Sequence, residues 1–360
     1  MTSHVPPFSE MIRNYDLAML NQAPDHKSSI WQYIYECDFK DLLVQPEIWP
    51  TFLRNGLSSG FNDNILASGD KDRFLYRKSG EIKALLPETV IDNKITASVQ
   101  ELFKAVAQIC GWDFVLKNVA SNVGSPSCVD FSVNFENQNK NSVQVRTDAH
   151  DLSLIYYAWH IISVFEQMLP DDSIILEIGG GYGGMVAKIK NKNPNYKFIL
   201  LDLPETCAIQ HYYLANCFPD AKIVGLKEFQ TSGDEILRKK DFDFLILPGS
   251  YIANFPDKYI DGIMNVRSMM EMSKKIITFY YGNIHRVITD HGVFCNYNRY
   301  TKVVGNEQIN IKEHPYDELW KILLSQTAIF QKHIHMLITA RTINPQRFPV
   351  KMAVKSLPPY

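Results

Sequence analysis

A glycine cluster flanked by two carboxylates is the part of this sequence best equipped for chemistry. The apolar run Ile174–Ile178 contains Glu177 and leads into Gly179–Gly184, where five of six residues are glycine. A helix-compatible segment follows, and then a second apolar run, Phe198–Leu201, which ends at Asp202. Glycine lets the backbone approach a ligand closely, and a carboxylate at a strand end can accept hydrogen bonds from ribose hydroxyls. The pattern predicts a strand, loop, helix and strand that bind a nucleoside.

Two cofactor motifs fit the same residues. The first, third and sixth residues of Gly179–Gly184 satisfy G-x-G-x-x-G, the dinucleotide motif. Asp202 lies 23 residues beyond Gly179, near the spacing of about 20 expected for the acid that binds ribose. Glu177 with the first, third and fifth residues of the cluster satisfies E-x-G-x-G-x-G instead. That second pattern is typical of S-adenosylmethionine-dependent methyltransferases.

Glu177 favours the methyl donor over the dinucleotide. A pyrophosphate at a helix N-terminus gains from the positive end of the helix dipole, and an adjacent carboxylate weakens that binding. S-adenosylmethionine carries a sulfonium and an ammonium, which suit an acidic strand end. We therefore predict S-adenosyl-L-methionine as the cofactor. The alternatives are an NAD(P)-dependent oxidoreductase using the same loop and a non-catalytic methyltransferase-like subunit, which would not need the intact glycines and carboxylates.

The composition indicates an ordinary globular protein. The chain has 360 residues, 46% of them apolar, and a net charge of −2 with both signs interspersed. No apolar run approaches the roughly 20 residues that span a bilayer, and the first residues show no signal-peptide pattern. The six scattered cysteines form no C-x-x-C pair, which is typical of reduced cytosolic thiols. We expect a cytoplasmic protein without a nucleic-acid partner, a membrane span or a metal site; homo-oligomer formation is left open.

The spacing of apolar residues predicts the elements that position these carboxylates. An amphipathic helix is expected over Asp151–Leu169, with its apolar stripe on a sheet. Strand candidates follow Asp202, and the last two form an antiparallel pair: Ala221–Gly225, Asp243–Leu247, Ile260–Val266, Val293–Tyr297, Lys321–Phe330 and His335–Thr342. A long helix is expected from Ser268 to about Ile288. This order predicts an α/β fold with a doubly wound sheet and an antiparallel edge.

The residues before the glycine cluster have a different pattern. Helix-compatible spacing occurs at Ser28–Asp38 and Ala97–Cys110, whereas Ser121–Asn141 has the composition of a loop. We expect this region to be mainly helical and to form a lid over the cofactor domain. The expected accessory region, cofactor domain and C-terminal tail are residues 1–145, 146–345 and 346–360.

Beyond the cofactor motif, the sequence resembles known families. Glu177–Gly184 with Asp202–Glu205 resembles class I S-adenosylmethionine-dependent methyltransferases, which implies a seven-stranded Rossmann-like sheet. Asp261–Met272 and Cys295–Arg299 resemble the sugar O-methyltransferases of bacterial polysaccharide clusters, in which a strand ending in Asn precedes Ser and a Glu-Met pair. Two shorter segments resemble the same family, Arg54–Leu57 and Gly124–Pro126. The narrower resemblance implies methyl transfer to a hydroxyl of a sugar or glycan in polysaccharide or glycoconjugate biosynthesis.

The expected cofactor site lies at the strand ends. The residues predicted to bind the methionine moiety, the ribose and the adenine are Glu177, Gly179, Gly181, Gly183, Asp202, Leu203 and Ser250. On the acceptor side, the end of Ile260–Val266 is expected to place three polar side chains beside the methyl group, those of Asn265, Arg267 and Ser268.

A sugar hydroxyl is a weak nucleophile, so a general base within hydrogen-bond reach would help. Glu271 lies three residues after Ser268, which fits a helix capping box as well as it fits a base in the cleft. The histidine candidates are His150, His285 and His291. Of these, His150 has the best local chemistry, because the carboxylate of Asp148 could fix its tautomer, although a structural role is open for each.

Overall fold

An eight-stranded sheet forms the centre of the protein. The computed structural model describes residues 8–20, 27–28, 31–32, 35–39, 43–53, 75–78, 81–84, 88–119, 122–126, 128–134 and 142–343. The strands of the central sheet are β5 (Ile174–Ile178), β6 (Lys197–Asp202), β7 (Ile223–Val224), β8 (Phe244–Pro248), β9 (Ile260–Val266), β10 (Ile288–Arg299), β13 (Trp320–Thr327) and β14 (Ile334–Arg341). Their order across the sheet is β13-β14-β10-β9-β5-β6-β8-β7.

Most of this sheet is parallel. All neighbouring pairs from β10 to β7 run parallel, whereas β14 runs antiparallel to β10 and β13 runs antiparallel to β14. The chain reverses direction along the sheet between β5 and β9, so their carboxyl ends form a crevice where open α/β sheets bind ligands. The predicted α/β class, parallel core and late antiparallel pair are confirmed.

Helices cover both faces of the sheet. The α-helices are α1 (Phe8–Leu20), α2 (Glu88–Cys110), α3 (Trp112–Asn118), α4 (Ala149–Met168), α5 (Gly184–Lys192), α6 (Pro204–Cys217), α7 (Leu226–Lys239) and α8 (Lys274–Val287). Along β5, Ile175 faces the core shared with α4, α5 and α6, whereas Ile174 and Leu176 face the core shared with α7 and α8. This alternation is what a doubly wound strand requires, and it confirms that prediction.

Four sequence-based expectations were wrong in detail. The sheet has eight strands rather than seven, because the two-residue β7 adds an outer edge. The long helix expected from Ser268 is a short 3-10 turn followed by α8, which begins after the N-cap Ser273. His291 lies within β10 rather than in a turn before it. Fourth, the segment Ser121–Asn141, expected to be a loop, contains a strand at Val129–Val133.

The remaining strands form small hairpins outside the central sheet. They are β1 (Leu75–Lys78) with β2 (Glu81–Ala84), β3 (Val129–Val133) with β4 (Val143–Thr147), and β11 (Thr301–Val304) with β12 (Glu307–Asn310). Short 3-10 helices occur at Pro46–Thr51, Gly249–Asn254, Met269–Glu271 and Ile311–Glu313, and a π-helix at Tyr35–Phe39. The sequence had not predicted β11 and β12. Lys302 lies on β11.

The N-terminal residues pack on the sheet domain. Helix α2 lies on α4 and α1 lies on α6, and Phe103 and Trp49 belong to the same buried cluster as Ile175. Helix α4 is therefore buried on both sides, by the sheet and by α2, and not on the single face that its apolar stripe predicted. Of the segments that resemble the sugar methyltransferase family, Arg54–Leu57 lies outside the described residues. No helix in the described part of the chain is long and apolar enough to cross a membrane.

Candidate functional site

A cavity of about 300 Å³ opens at the carboxyl ends of β5, β6, β8 and β9. Helices α4 and α8 and the N-terminal residue Trp31 complete its walls. The predicted site residues that line it are Glu177, Gly179, Gly181, Asp202, Leu203, Ser250, Arg267, Ser268, Glu271 and His150. The structure thus brings together residues that are separated by more than 100 positions in the sequence.

The glycine loop leaves no room for other side chains. Gly179 has a φ of +69°, and a Cβ there would lie 1.7 Å from Oγ of Ser268. A Cβ on Gly180 would lie 2.1 Å from Oε2 of Glu177. Glycine at these positions is therefore needed both for the left-handed backbone and for the side chains around the cavity. Gly183, predicted to bind cofactor, is the N-cap residue before α5 and does not line the cavity.

Glu177 is the most unusual charged group of the site. Its side chain lies at the end of β5 with only 1% of the residue exposed. Its Oε2 atom has no hydrogen-bond partner among the described residues. Burial, with a smaller contribution from the charge of Asp202, raises the pKa of Glu177 to about 8. A buried carboxylate aimed at a cavity without a partner fits a cationic ligand group.

Asp202 differs from Glu177 because its oxygens already accept hydrogen bonds. Its Oδ1 accepts from the amide of Leu203 at 2.8 Å, and its Oδ2 accepts from the amide of Gly181 and from Nε2 of Gln210, both at 3.1 Å. Burial raises its pKa to about 7, although the two amides act in the opposite direction. These contacts fix the carboxylate at the edge of the cavity, where Oδ1, which accepts one of the three hydrogen bonds, keeps a further lone pair for a ligand hydroxyl.

Asn265 has a structural role rather than the predicted contact with an acceptor. It is 0% exposed and does not line the cavity. Its Nδ2 donates to the carbonyl of Ile178 at 2.6 Å, and its Oδ1 accepts from the amide of Met269 at 3.0 Å and from Nδ2 of Asn298 at 2.8 Å. Since every polar atom of the side chain is bonded to the protein, Asn265 links the strand before the glycine loop to the segment that follows β9.

Glu271 forms neither the capping box nor a free base. The Ser268 side chain makes no capping hydrogen bond. The Glu271 carboxylate accepts instead from Nε1 of Trp31 at 3.0 Å and from Nζ of Lys302 at 2.6 Å. Trp31 and Lys302 were missed by sequence reasoning, because residues 31, 271 and 302 meet only through the folding of the chain. Glu271 therefore joins the N-terminal region to the rim of the cavity.

Arg267 lines the cavity with a strained backbone. Its φ is +62°, a conformation that costs energy for a residue with a Cβ and is often kept at functional sites. Its amide donates to the carbonyl of Tyr297 at 2.7 Å, which ties the end of β9 to β10. Burial, and the like charge of Arg299, lower the pKa of Arg267 to about 10, while the charge of Glu271 opposes them. The guanidinium stays positive at neutral pH.

Of the three predicted histidines, His150 alone lines the cavity. Burial lowers its pKa to about 4, so the imidazole is neutral at pH 7, and its ring lies 6.2 Å from that of Tyr182. Asp148 does not fix the tautomer as expected, because its carboxylate caps α4 by accepting from the amide of Asp151.

The structure places the other two candidates for the base, His285 and His291, away from the cavity. His285 lies late on α8, where its Nδ1 is 3.4 Å from Oδ2 of Asp317. His291 is exposed near the start of β10, and the start of a parallel strand is at the sheet edge opposite the cavity. Sequence reasoning could not exclude them, since the helix length and the strand start were both misplaced.

Within the described ranges, no group of three or more His, Cys, Asp or Glu side chains is arranged to hold a metal ion. The five cysteines described are free thiols. The polar side chains on the cavity wall include three carboxyls, an arginine, serines, two tyrosines and His150.

Comparisons with known proteins show only distant likenesses. No protein-family model and no curated protein matches this chain. A solved S-adenosylmethionine-dependent methyltransferase from Aquifex aeolicus is 12% identical with a TM-score of 0.30, over 50% of this chain and 88% of that one. The 1,6-didemethyltoxoflavin-N1-methyltransferase of Burkholderia thailandensis, solved with S-adenosylhomocysteine, is 13% identical with a TM-score of 0.32, over 52% and 78%. The function must therefore be inferred from this chain's own residues.

We predict that Glu177→Gln stabilises the free protein more at pH 8 than at pH 5.5. Between the ordinary pKa of a glutamate, about 4.5, and its native value of about 8, the folded state holds a proton that the unfolded state has lost. Stability therefore falls with rising pH by up to about 1.4 kcal/mol per unit in this window, and glutamine removes that loss. Urea unfolding at both pH values measures it.

The control for this substitution is Glu228→Gln on the exposed face of α7. It should change the free energy of unfolding by less than about 0.5 kcal/mol at either pH. A stabilisation by Glu177→Gln that is equal at pH 5.5 and pH 8 would show that the Glu177 carboxyl is not held protonated in the native state.

We also predict that Asn265→Ala lowers the free energy of unfolding by about 2–5 kcal/mol. The substitution leaves the buried carbonyl of Ile178 and amide of Met269 without their partner, at about 1–3 kcal/mol for each group. Urea unfolding is the measurement. Asn191→Ala, at an exposed position on α5, is the control and should have an effect within about 0.5 kcal/mol. A small effect at Asn265 would mean that water replaces its side chain.

Proposed function

We propose that this chain is an S-adenosylmethionine-dependent O-methyltransferase whose acceptor is a hydroxyl of a sugar or glycan. The observation that carries the cofactor assignment is the buried Glu177 carboxylate, which lines the cavity and whose Oε2 has no hydrogen-bond partner among the described residues. It supplies the negative charge that the ammonium of the methionine moiety needs. Asp202, at the end of the next strand, is placed for the ribose hydroxyls.

The residues around the cavity fit this cofactor. Leu203 and Ser250 lie at the ends of β6 and β8, on the side where the adenine would follow the ribose. Gly179 and Gly181 line the cavity and, as glycines, add no side chains to the space that the methionine moiety would occupy. When bound, S-adenosylmethionine supplies an electrophilic methyl group on its sulfonium. The protein's contribution is to hold the acceptor oxygen in line with that methyl group, because positioning provides much of the rate.

The dinucleotide alternative is less well supported by the fold and by the charge. A dinucleotide-binding sheet has a sixth strand in the order 3-2-1-4-5-6, whereas here the strand beside β10 is the antiparallel β14. A pyrophosphate over the glycine loop would also lie near the buried Glu177 carboxyl. Both observations support the methyl donor over NAD(P).

For the acceptor we propose that His150 receives the hydroxyl proton. Its imidazole is neutral at pH 7 because burial lowers its pKa to about 4, and its buried Nδ1 has no hydrogen-bond partner among the described residues. Ser268 and Arg267 also line the cavity, and we propose that they orient the acceptor. The sugar assignment itself rests on the resemblance of Asp261–Met272 to sugar O-methyltransferases. Within that segment, Asn265 and Glu271 of this chain hold neighbouring parts of the site in position.

We further propose that the N-terminal region, residues 1–145, acts as a lid on the acceptor side. Its support is the hydrogen bond from Trp31 Nε1 to Glu271, together with Ser28 and Trp31 on the cavity wall. Residues 146–345 would then form the cofactor domain. The cytoplasm remains the expected setting.

The cofactor is tested by ligand-induced thermal stabilisation. S-adenosylhomocysteine at 100 times its Kd should stabilise the protein by about 2.7 kcal/mol, whereas NAD should give no shift. Stabilisation by NAD alone would contradict the proposal. Cofactor binding without methyl transfer to any sugar or glycan fraction, measured as no formation of S-adenosylhomocysteine from S-adenosylmethionine, would favour the non-catalytic subunit.

The proposal also predicts a pH dependence of cofactor affinity. Since Glu177 is largely protonated at pH 7, with a pKa of about 8, an ammonium bound beside it should drive out its proton. Affinity for S-adenosylhomocysteine should therefore rise between pH 6 and pH 8 by up to about tenfold per unit. Calorimetry in buffers of different ionisation enthalpy should show proton release at pH 7. Glu177→Gln should abolish the release; release that persists in this variant would place the ammonium elsewhere.

A further inference from the structure

The hydroxyl of Tyr280 lies against the glycine that follows β8. A Cβ on Gly249 would lie 2.1 Å from Oη of Tyr280 and 3.8 Å from the backbone carbonyl oxygen of Asp202. The parallel register places Asp202 beside Pro248, at the carboxyl ends of β6 and β8. Tyr280 on α8 therefore brings its hydroxyl to the ends of these two strands, and both Tyr280 and Gly249 line the cavity.

This hydroxyl is available to a ligand. Tyr280 is 4% exposed, and its hydroxyl has no hydrogen-bond partner among the described residues. Burial raises the pKa of Tyr280 above its ordinary value, so the phenol stays protonated at neutral pH and can both donate and accept a hydrogen bond. A buried tyrosine hydroxyl usually has a partner. A ligand in the cavity would supply one.

The position of the hydroxyl corresponds to the base of the proposed cofactor. The methionine moiety would lie at the glycine loop after β5 and the ribose at Asp202 on β6, so the base would reach the end of β8. Leu203, Pro248 and Ile276 line the cavity there with apolar surface. Ile276 lies four residues before Tyr280 on α8, and the two share a helix face. Apolar walls suit the faces of a flat base, whose edge then needs polar partners.

We propose that the Tyr280 hydroxyl forms a hydrogen bond with the edge of the adenine and so determines the specificity of the site for an adenine nucleoside. This inference rests on the proposed function and adds a contact to the same site. A phenol hydroxyl can donate to a ring nitrogen or accept from the exocyclic amino group. Glycine at position 249 is then required, because a Cβ there would displace the hydroxyl. A base that leaves the buried hydroxyl unpaired is rejected.

The first measurement is the affinity for S-adenosylhomocysteine by isothermal titration. Tyr280→Phe removes the oxygen alone and should raise Kd about three- to tenfold, the contribution of one neutral hydrogen bond. Tyr251→Phe is the matched control. It lies in the 3-10 helix Gly249–Asn254, its hydroxyl accepts from Nε2 of Gln230 at 2.8 Å, and it does not line the cavity. The control should change Kd by less than about twofold.

Analogues of S-adenosylhomocysteine assign the hydrogen bond to the base. S-inosylhomocysteine lacks the amino group of adenine, and each deaza form lacks one ring nitrogen. One of these analogues should bind the native protein more weakly than S-adenosylhomocysteine does, by about the factor that Tyr280→Phe produces. The same analogue should lose no further affinity in Tyr280→Phe, because the hydrogen bond is already absent there.

A second variant displaces the hydroxyl without changing Tyr280. Gly249→Ala introduces the Cβ that would lie 2.1 Å from Oη, and it should raise the Kd of S-adenosylhomocysteine about three- to tenfold by moving the hydroxyl away from the base. The same change should cost less affinity in the Tyr280→Phe background. Once the oxygen is gone, the nearest atom of that ring is Cζ at 3.3 Å. Urea unfolding checks that each variant is folded.

Unchanged affinity for S-adenosylhomocysteine in both Tyr280→Phe and Gly249→Ala would overturn the inference. It would also be overturned if every analogue lost the same factor in the native protein and in Tyr280→Phe, since the hydroxyl would then contact another part of the cofactor. Absence of S-adenosylhomocysteine binding to the native protein would contradict the proposed function, and the inference with it. Binding that both variants leave intact would contradict the inference alone.

Discussion

The amide side chain of Asn265 holds the two halves of the cavity in register. It bonds the carbonyl of Ile178, directly before the glycine loop, and the amide of Met269, within the segment Arg267–Glu271. Asn298 on β10 extends the link, donating to Asn265 and accepting from the amide of Met270. In a buried setting, such bonds are costly to leave unmade. The glycine loop and the Arg267–Glu271 segment therefore behave as one rigid unit.

The cavity that this unit frames separates charges of opposite sign. On the donor side, the carboxyls of Glu177 and Asp202 have raised pKa values because burial disfavours their charged forms. On the opposite strand end, burial lowers the pKa of Arg267, and the charge of Arg299 adds to that effect. The cavity wall therefore carries carboxyls at the ends of β5 and β6 and a guanidinium after β9.

Local sequence patterns predicted the strands and the glycine loop on one side of the cavity almost completely. The run Ile174–Ile178 was placed with its correct bounds, as was Ile260–Val266, because a buried parallel strand leaves a continuous apolar signal. Gly179 and Gly181 could be predicted because a left-handed backbone restricts the residue type. The helix expected from Ser268 was wrong because periodicity does not show that a 3-10 turn precedes the N-cap Ser273.

The acceptor side depended on contacts that no local pattern encodes. Asn265 had the right residue type for binding, yet the pairing of β9 with β5 and β10 buried it in a network of backbone bonds. Glu271 has the residue type of a general base, but its carboxylate accepts hydrogen bonds from Trp31 and Lys302, which are both distant in sequence.

The sequence by itself determined the glycine loop, its two carboxylates and the order of strands and helices, because these depend on neighbours within a few residues. The tertiary structure alone decided which polar side chains reach the cavity and which hold it together. Strand order and register bring residues 31, 150, 267 and 299 to one edge of the sheet, and sequence spacing carries no information about that distance.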